Sequence, residues 1–191
     1  MARRYAEITY TPSVCAAQQD GGVAEVAARM AAADVEDTRL GDAEEAFISA
    51  RDSFYLASIS ESGWPYVQHR GGPTGFLRVL DDRTLAYADF TGNRQLLSTG
   101  NIANDDRVSL ILMDYAQRRR LKILARARVV GAGTDAALVE RVEDPSYRAR
   151  IERVFVLEIE AFDWNCPQHI TPRYTAEEAA RMFNDSHGEE S

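Results

Sequence analysis

Across residues 54–130 the β-rich runs follow one another so closely that few folds can hold them. Phe54-Tyr55-Leu56-Ala57-Ser58-Ile59-Ser60 stops at Glu61-Ser62-Gly63, which is turn chemistry, and residues 65–70 read as the return strand of a hairpin. A third run at 75–80 is closed by Asp81-Asp82, and a fourth covers 84–89. After a short helix at 95–103, residues 107–114 and 121–130 read as two long strands joined by the polar segment 117–120. Thr134-Asp135 caps a helix through Val142, and residues 153–162 form a last strand. Six or seven antiparallel strands with a few helices predict a mainly β fold with added α: a small barrel with flanking helices. Helices of crossover length between strands are missing, which argues against a doubly wound sheet.

The ends are more helical. Residues 1–20 read as an irregular arm. Residues 22–35 are Ala-rich, with Val23, Val26, Ala27 and Met30 at helical spacing. A further helix starts at Asp42, where Asp42-Ala43-Glu44-Glu45 has a capping-box pattern. Residues 176–183 give a terminal helix. The expected organisation is a single domain, with an N-terminal arm and helix over 1–40, the barrel over 41–175, and a C-terminal helix and tail over 176–191.

Composition narrows the partners. The formal net charge of -8 argues against nucleic acid, whose phosphate backbone needs a basic face. No apolar run approaches the roughly 20 residues of a membrane helix, and the N-terminus lacks the apolar stretch of a signal peptide. Cys15 and Cys166 are far apart and read as free thiols in a reducing cytoplasm. His69, His169 and His187 show no metal-ligand spacing, so no metal is expected.

Two strand ends carry the chemistry. Tyr66, Gln68 and Arg70 alternate onto one strand face, with Val67 and His69 on the other. Twenty residues on, Asp89, Thr91, Gly92, Asn93, Arg94 and Gln95 run from a strand end into a helix start. There Gly92 allows a sharp turn, the amides after it face an anion at the helix start, and Arg94 grips phosphate with two parallel bonds. The bland alternatives are a solvated turn and an exposed strand edge. Arg120, Lys122, Arg126 and Arg128 share one face of a strand whose other face is Leu121, Ile123, Ala125 and Ala127. Trp164 and Arg173 flank an irregular segment rich in functional side chains; core filling is the plainer reading of Trp164.

Together these segments resemble the pyridoxamine 5'-phosphate oxidase-like flavoproteins, which share an FMN-binding split β-barrel. The likeness covers roughly residues 45–175. It rests on Gly63-Trp64-Pro65-Tyr66, Asn93-Arg94-Gln95, Asp106-Arg107-Val108-Ser109-Leu110 and the Trp164…Arg173 pair, in that order. The resemblance implies that Gln68, His69 and Arg70 line a flavin. It implies that Asn93, Arg94 and Gln95 form a Ser-Arg-Lys-type phosphate grip, and that the Arg120–Lys122 strand contributes to the ring or the phosphate. Trp164 and Arg173 would come from the neighbouring subunit of a homodimer with flavin at its interface.

Two departures shape the expected function. Gln95 stands where the oxidases usually have Lys, so charge balance falls to Arg70 or Lys122. The oxidase ends in an Arg-Leu-x-Pro motif, whereas this sequence ends in Asn184-Asp185-Ser186-His187-Gly188-Glu189-Glu190-Ser191. The expectation is an FMN-dependent oxidoreductase with a small-molecule substrate other than pyridoxamine phosphate, with no acid–base residue singled out. The alternatives are a non-catalytic flavin carrier or sensor, or the same barrel holding a deazaflavin or haem.

Overall fold

The computed structural model describes residues 3–92 and 94–188. Three helices come first: α1 (Arg4–Thr9), α2 (Pro12–Asp20) and α3 (Ala24–Ala31). The arm expected to be irregular over 1–20 is therefore helical over 4–9 and 12–20. Its first helix starts where the buried Asp37 carboxylate accepts the Arg4 and Tyr5 amides at 3.1 and 3.0 Å. A cap supplied from 32 positions away is invisible to local reading. The second helix did leave a local mark, since Thr11 is its N-cap and Pro12 its first residue. Arg3 ties this region to the sheet, donating from Nη2 to Asp163 Oδ1 at 2.7 Å.

α4 (Asp42–Ser49) follows, shifted one residue from the expected cap: Gly41 is the N-cap, and its N–H donates to Glu44 Oε2 at 3.0 Å. The remaining elements are β1 (Ser53–Ile59), β2 (Pro65–Gly71), β3 (Arg78–Asp81), β4 (Thr84–Phe90), α5 (Leu97–Asn104), β5 (Arg107–Asp114), β6 (Arg119–Gly131), α6 (Ala136–Val142), β7 (Ile151–Trp164) and α7 (Ala176–Gly188). The third strand is shorter than its 75–80 run suggested. Gly75 takes φ 78° and donates its N–H to Arg51 O at 2.9 Å, so residues 72–77 form a loop. That loop drives Phe76 and Leu77 into the core.

The strands form one sheet in the order β2-β1-β5-β6-β7-β4-β3, antiparallel at every neighbouring pair. The chain is a split β-barrel: the sheet curls, and β2 and β3 are its two edges. β6 and β7 are long enough to serve both halves, and a register shift at Leu124/Ala125 lets them bend together. Alternation sets the inside. Phe54 and Leu56 on β1, Leu110 and Leu112 on β5, Leu121 and Ile123 on β6, and Phe155 and Leu157 on β7 are all buried. At one end the core is aromatic: Phe54 stacks on Phe76 at 5.6 Å, and Tyr87 on Phe155 at 4.9 Å.

Candidate functional site

β2 is an edge strand, yet its inner face carries polar groups. Register pairs Phe54 with Arg70, Leu56 with Gln68 and Ser58 with Tyr66, so those three β2 residues face the same side as a buried stretch of β1. A polar residue on that side needs a partner. Gln68 Oε1 accepts from Ser98 Oγ at 3.1 Å, and Ser58 Oγ accepts from Asn101 Nδ2 at 3.0 Å, which seats α5 against β1 and β2.

Arg70 reaches further. Its Nη1 donates to Asp89 Oδ1 of β4 at 2.9 Å, and its Cζ lies 5.0 Å from the Phe155 ring centre and 5.7 Å from that of Tyr87. Asp89 also holds a second cation: Arg153 Nε donates to Asp89 Oδ2 at 2.9 Å, and Arg153 Nη2 to Glu152 Oε2 at 2.8 Å. Two buried polar atoms here have no hydrogen-bond partner among the described residues, Arg70 Nε and the Tyr87 hydroxyl oxygen. Burial pushes the Tyr87 hydroxyl far above its ordinary range, against a smaller opposing pull from Arg70, so it stays protonated.

Between β2, the end of β4 and the start of α5 lies an open cleft of about 280 Å³. Tyr66, Gln68, Arg70, Asp89, Phe90, Gly92, Arg94, Gln95, Leu96, Leu97, Ser98, Thr99 and Arg153 line it. Three arginines face one carboxylate, leaving a formal excess of two positive charges. The first-turn amides of α5 belong to the lining residues Leu97, Ser98 and Thr99, and a helix start has donors without intrahelical acceptors. The loop into α5 is held in the left-handed region at Arg94 (φ 51°) and Leu96 (φ 57°). Gly92, expected to supply the sharp turn, is not in that region; the reversal is made by bulkier residues just after it. Such conformations cost on the order of 1–2 kcal/mol each and concentrate at binding loops.

Of the residues expected from sequence, the cleft brings together Gln68, Arg70, Asp89, Gly92, Arg94 and Gln95. Others lie elsewhere. His69 is on the opposite face of β2, against Tyr55 at 5.6 Å. Thr91 is tied to the start of β7, its N–H and hydroxyl both donating to Arg150 O. Arg120 and Lys122 lie on β6, paired with β5. Trp164 packs edge-on against Phe47 at 4.8 Å and donates from Nε1 to Glu44 Oε1 at 2.7 Å. Arg173 lies over the Tyr115 ring at 5.1 Å. Asn93 lies outside the described residues.

Arg153 and Ser98 were missed by sequence reasoning. Arg153 merely opens the last predicted strand, and its meaning appears only once β4 and β7 are neighbours, which places it opposite Asp89. Ser98 carried no signal beyond its place in the first turn of a short helix.

A family model for pyridoxamine 5'-phosphate oxidase matches residues 40–165 of the 191, well over half of the chain. The chain belongs to this family. Every residue lining the cleft falls inside the match to pyridoxamine 5'-phosphate oxidase, whereas α1–α3 and Arg173 fall outside it. No sequence among curated proteins matches the chain. Solved structures that share the fold include the following two. HupZ from Group A Streptococcus is 14% identical with a TM-score of 0.53, over 71% of this chain and 100% of that one. A Lactobacillus delbrueckii protein named for pyridoxamine 5'-phosphate oxidase is 23% identical with a TM-score of 0.50, over 68% and 99%. Among the described residues no helix is long and apolar enough to cross a membrane.

Proposed function

We propose that the chain binds FMN in this cleft and works as an oxidoreductase on a small-molecule substrate other than pyridoxamine phosphate. The observation that carries the reading is the charge of the cleft: three arginines against one carboxylate, beside the start of α5. A phosphate monoester at pH 7 carries about -1.5 to -2 charges, which suits this excess. The unpartnered Arg70 Nε adds a buried donor at the same place. Arg94 and the α5 amides hold the phosphate, and Gln68, fixed by Ser98, orients the polar chain that follows. Bound FMN supplies hydride or electron transfer at its ring.

The reading includes a homodimer with flavin at its interface, so that a second copy completes the site. A volume of about 280 Å³ is at the lower limit of small-molecule sites, which run about 300–1,000 Å³. Tyr55, Ile59 and Val67 leave apolar surface exposed on the outer face of β1 and β2, where a second copy would bury it. Trp164 and Arg173, which do not line their own chain's cleft, are the residues such a copy would offer.

The absorbance spectrum of the purified protein tests the cofactor, because bound flavin absorbs at roughly 450 nm. Titration with FMN, followed by fluorescence quenching, should show Arg94→Ala binding about tenfold to a hundredfold more weakly. Unchanged affinity in that variant overturns the role of Arg94. Reduction of the bound flavin by NADH or NADPH, with turnover on an electron acceptor, supports the oxidoreductase; no reduction by either favours a carrier. Turnover of pyridoxamine phosphate overturns the substrate assignment.

A further inference from the structure

The cleft holds one cation on a rigid strand whose chemistry goes beyond the reading above. Arg153 stands on the 14-residue β7, opposite Asp89. Its guanidinium is fixed along two edges, by Asp89 at 2.9 Å and Glu152 at 2.8 Å. A guanidinium has five N–H donors in one plane; these two bonds engage Nε and Nη2 and leave Nη1 outside both. The side chain keeps 20% of its surface exposed and lines the cleft with Arg94.

We propose that Arg153 is a phosphate-binding residue, the one that lets this cleft distinguish a phosphorylated flavin from its unphosphorylated counterpart. The proposal rests on the flavin reading given above. Charge decides in its favour. The lining side chains sum to +2, three arginines less one aspartate. Without Arg153 they sum to +1, against a phosphate of about -1.5 to -2; Asp89 pairs Arg70 and Arg153 alike, and Glu152, outside the lining, pairs Arg153 as well. The chain's single lysine, Lys122, is on β6 and does not line the cleft. Placement favours Arg153 too. Arg94 belongs to a loop held at φ 51°, whereas Arg153 is set by strand register and by two carboxylates, and a donor held on a strand is placed more accurately than one on a loop. Asp89 thus accepts from both arginines, from Arg70 across the sheet opening and from Arg153 on the neighbouring strand.

The test uses the full chain and two ligands, FMN and riboflavin, which share ring and ribityl chain and differ by the phosphate. Arg153→Ala is expected to weaken FMN about tenfold to a hundredfold and to leave riboflavin within about twofold. Arg153→Lys keeps the charge without the planar fork, so it should fall between wild type and Arg153→Ala. Unchanged FMN affinity in Arg153→Ala overturns the proposal. So does equal weakening of both ligands, which marks a site disrupted through Asp89 rather than a lost phosphate contact. Should Arg153→Ala fail to fold, Arg153→Gln retains a donor toward Asp89 and is judged by the same two outcomes. Wild-type protein that binds riboflavin as tightly as FMN also overturns the proposal, and wild-type protein that binds neither overturns the flavin reading itself.

Discussion

Arg70 on β2 and Asp89 on β4 meet at 2.9 Å across the opening of the sheet, joining two strands that stand five places apart in its order. Both side chains are almost buried, 13% and 14% exposed. The pair closes with side chains a barrel whose edge strands are split apart, and it sets the floor of the cleft. Its asymmetry matters: one carboxylate serves two arginines, because Arg153 shares Asp89.

Asp89→Asn should therefore act in opposite directions on stability and on anion binding. Removing the charge leaves the nearly buried Arg70 guanidinium without its counter-ion, while Arg153 keeps Glu152, and breaking such a pair costs about 3 kcal/mol. The same change raises the formal charge of the cleft by one. Urea unfolding should report the loss, while FMN titration should report equal or tighter binding. A variant that loses both stability and affinity would place Asp89 among the groups that position the ligand donors, with no separate electrostatic role.

Tyr87→Phe tests the cost of the unpartnered hydroxyl. Tyr87 is 1% exposed, and its oxygen has no hydrogen-bond partner among the described residues. Its ring, stacked on Phe155 and edge-on to Phe54, does the packing, and phenylalanine keeps all of that. Removing a buried, unsatisfied hydroxyl should leave stability unchanged or raise it by about 1 kcal/mol. A loss above that in chemical denaturation would mean that the hydroxyl has a partner in solution, such as a bound water or ligand.

The barrel was legible in the sequence because its strands obey local rules. Leu121, Ile123, Ala125 and Ala127 share the face opposite Arg120, Lys122, Arg126 and Arg128, and all four prove buried; Asp135 caps its helix with a bond to the Leu138 amide at 2.9 Å. The inner face of β2 was also readable, since alternation alone puts Tyr66, Gln68 and Arg70 together, and they line the cleft. What could not be read are long-range partners. The start of α1 depends on Asp37, and Arg153 depends on β4 and β7 being neighbours. The turn before α5 misled for a different reason: its left-handed residues are Arg94 and Leu96, neither of which advertises that conformation as glycine does.

Trp164 has a structural task within its own chain that a double-mutant cycle can isolate. Its indole N–H donates to Glu44 Oε1 at 2.7 Å, and the other oxygen of that carboxylate accepts the Gly41 N–H that starts α4. Trp164→Phe keeps most of the contact with Phe47 and loses the bond, at about 1–2 kcal/mol. Glu44→Gln weakens both ends of the link. If the bond is what joins them, the two losses should be less than additive by about 0.5–1 kcal/mol in urea unfolding. Additive losses would mean that Trp164 and Glu44 act separately.

Acid should loosen the far end of α5 through Asp105. This residue is the C-cap of α5, and it accepts both the Arg107 amide at 3.1 Å and Arg107 Nε at 2.8 Å. These bonds, the side-chain one first, push its carboxyl down from 3.8 to about 2. A carboxyl depressed in the folded state binds its proton more readily when unfolded. Its contribution is thus complete above about pH 4, the unfolded carboxyl range, and is lost as pH falls through about 2. A carbon-detected NMR titration of Asp105 should give a midpoint close to that lower value. Asp105→Asn should flatten the dependence of stability on pH over this acid window and leave neutral behaviour alone. Arg107→Ala should return the midpoint only part of the way toward the ordinary range, because the backbone amide at residue 107 still donates. A midpoint that does not move in Arg107→Ala would assign the depression to that amide and to the more distant Arg126, and would remove the side-chain pair from the account of how α5 is anchored.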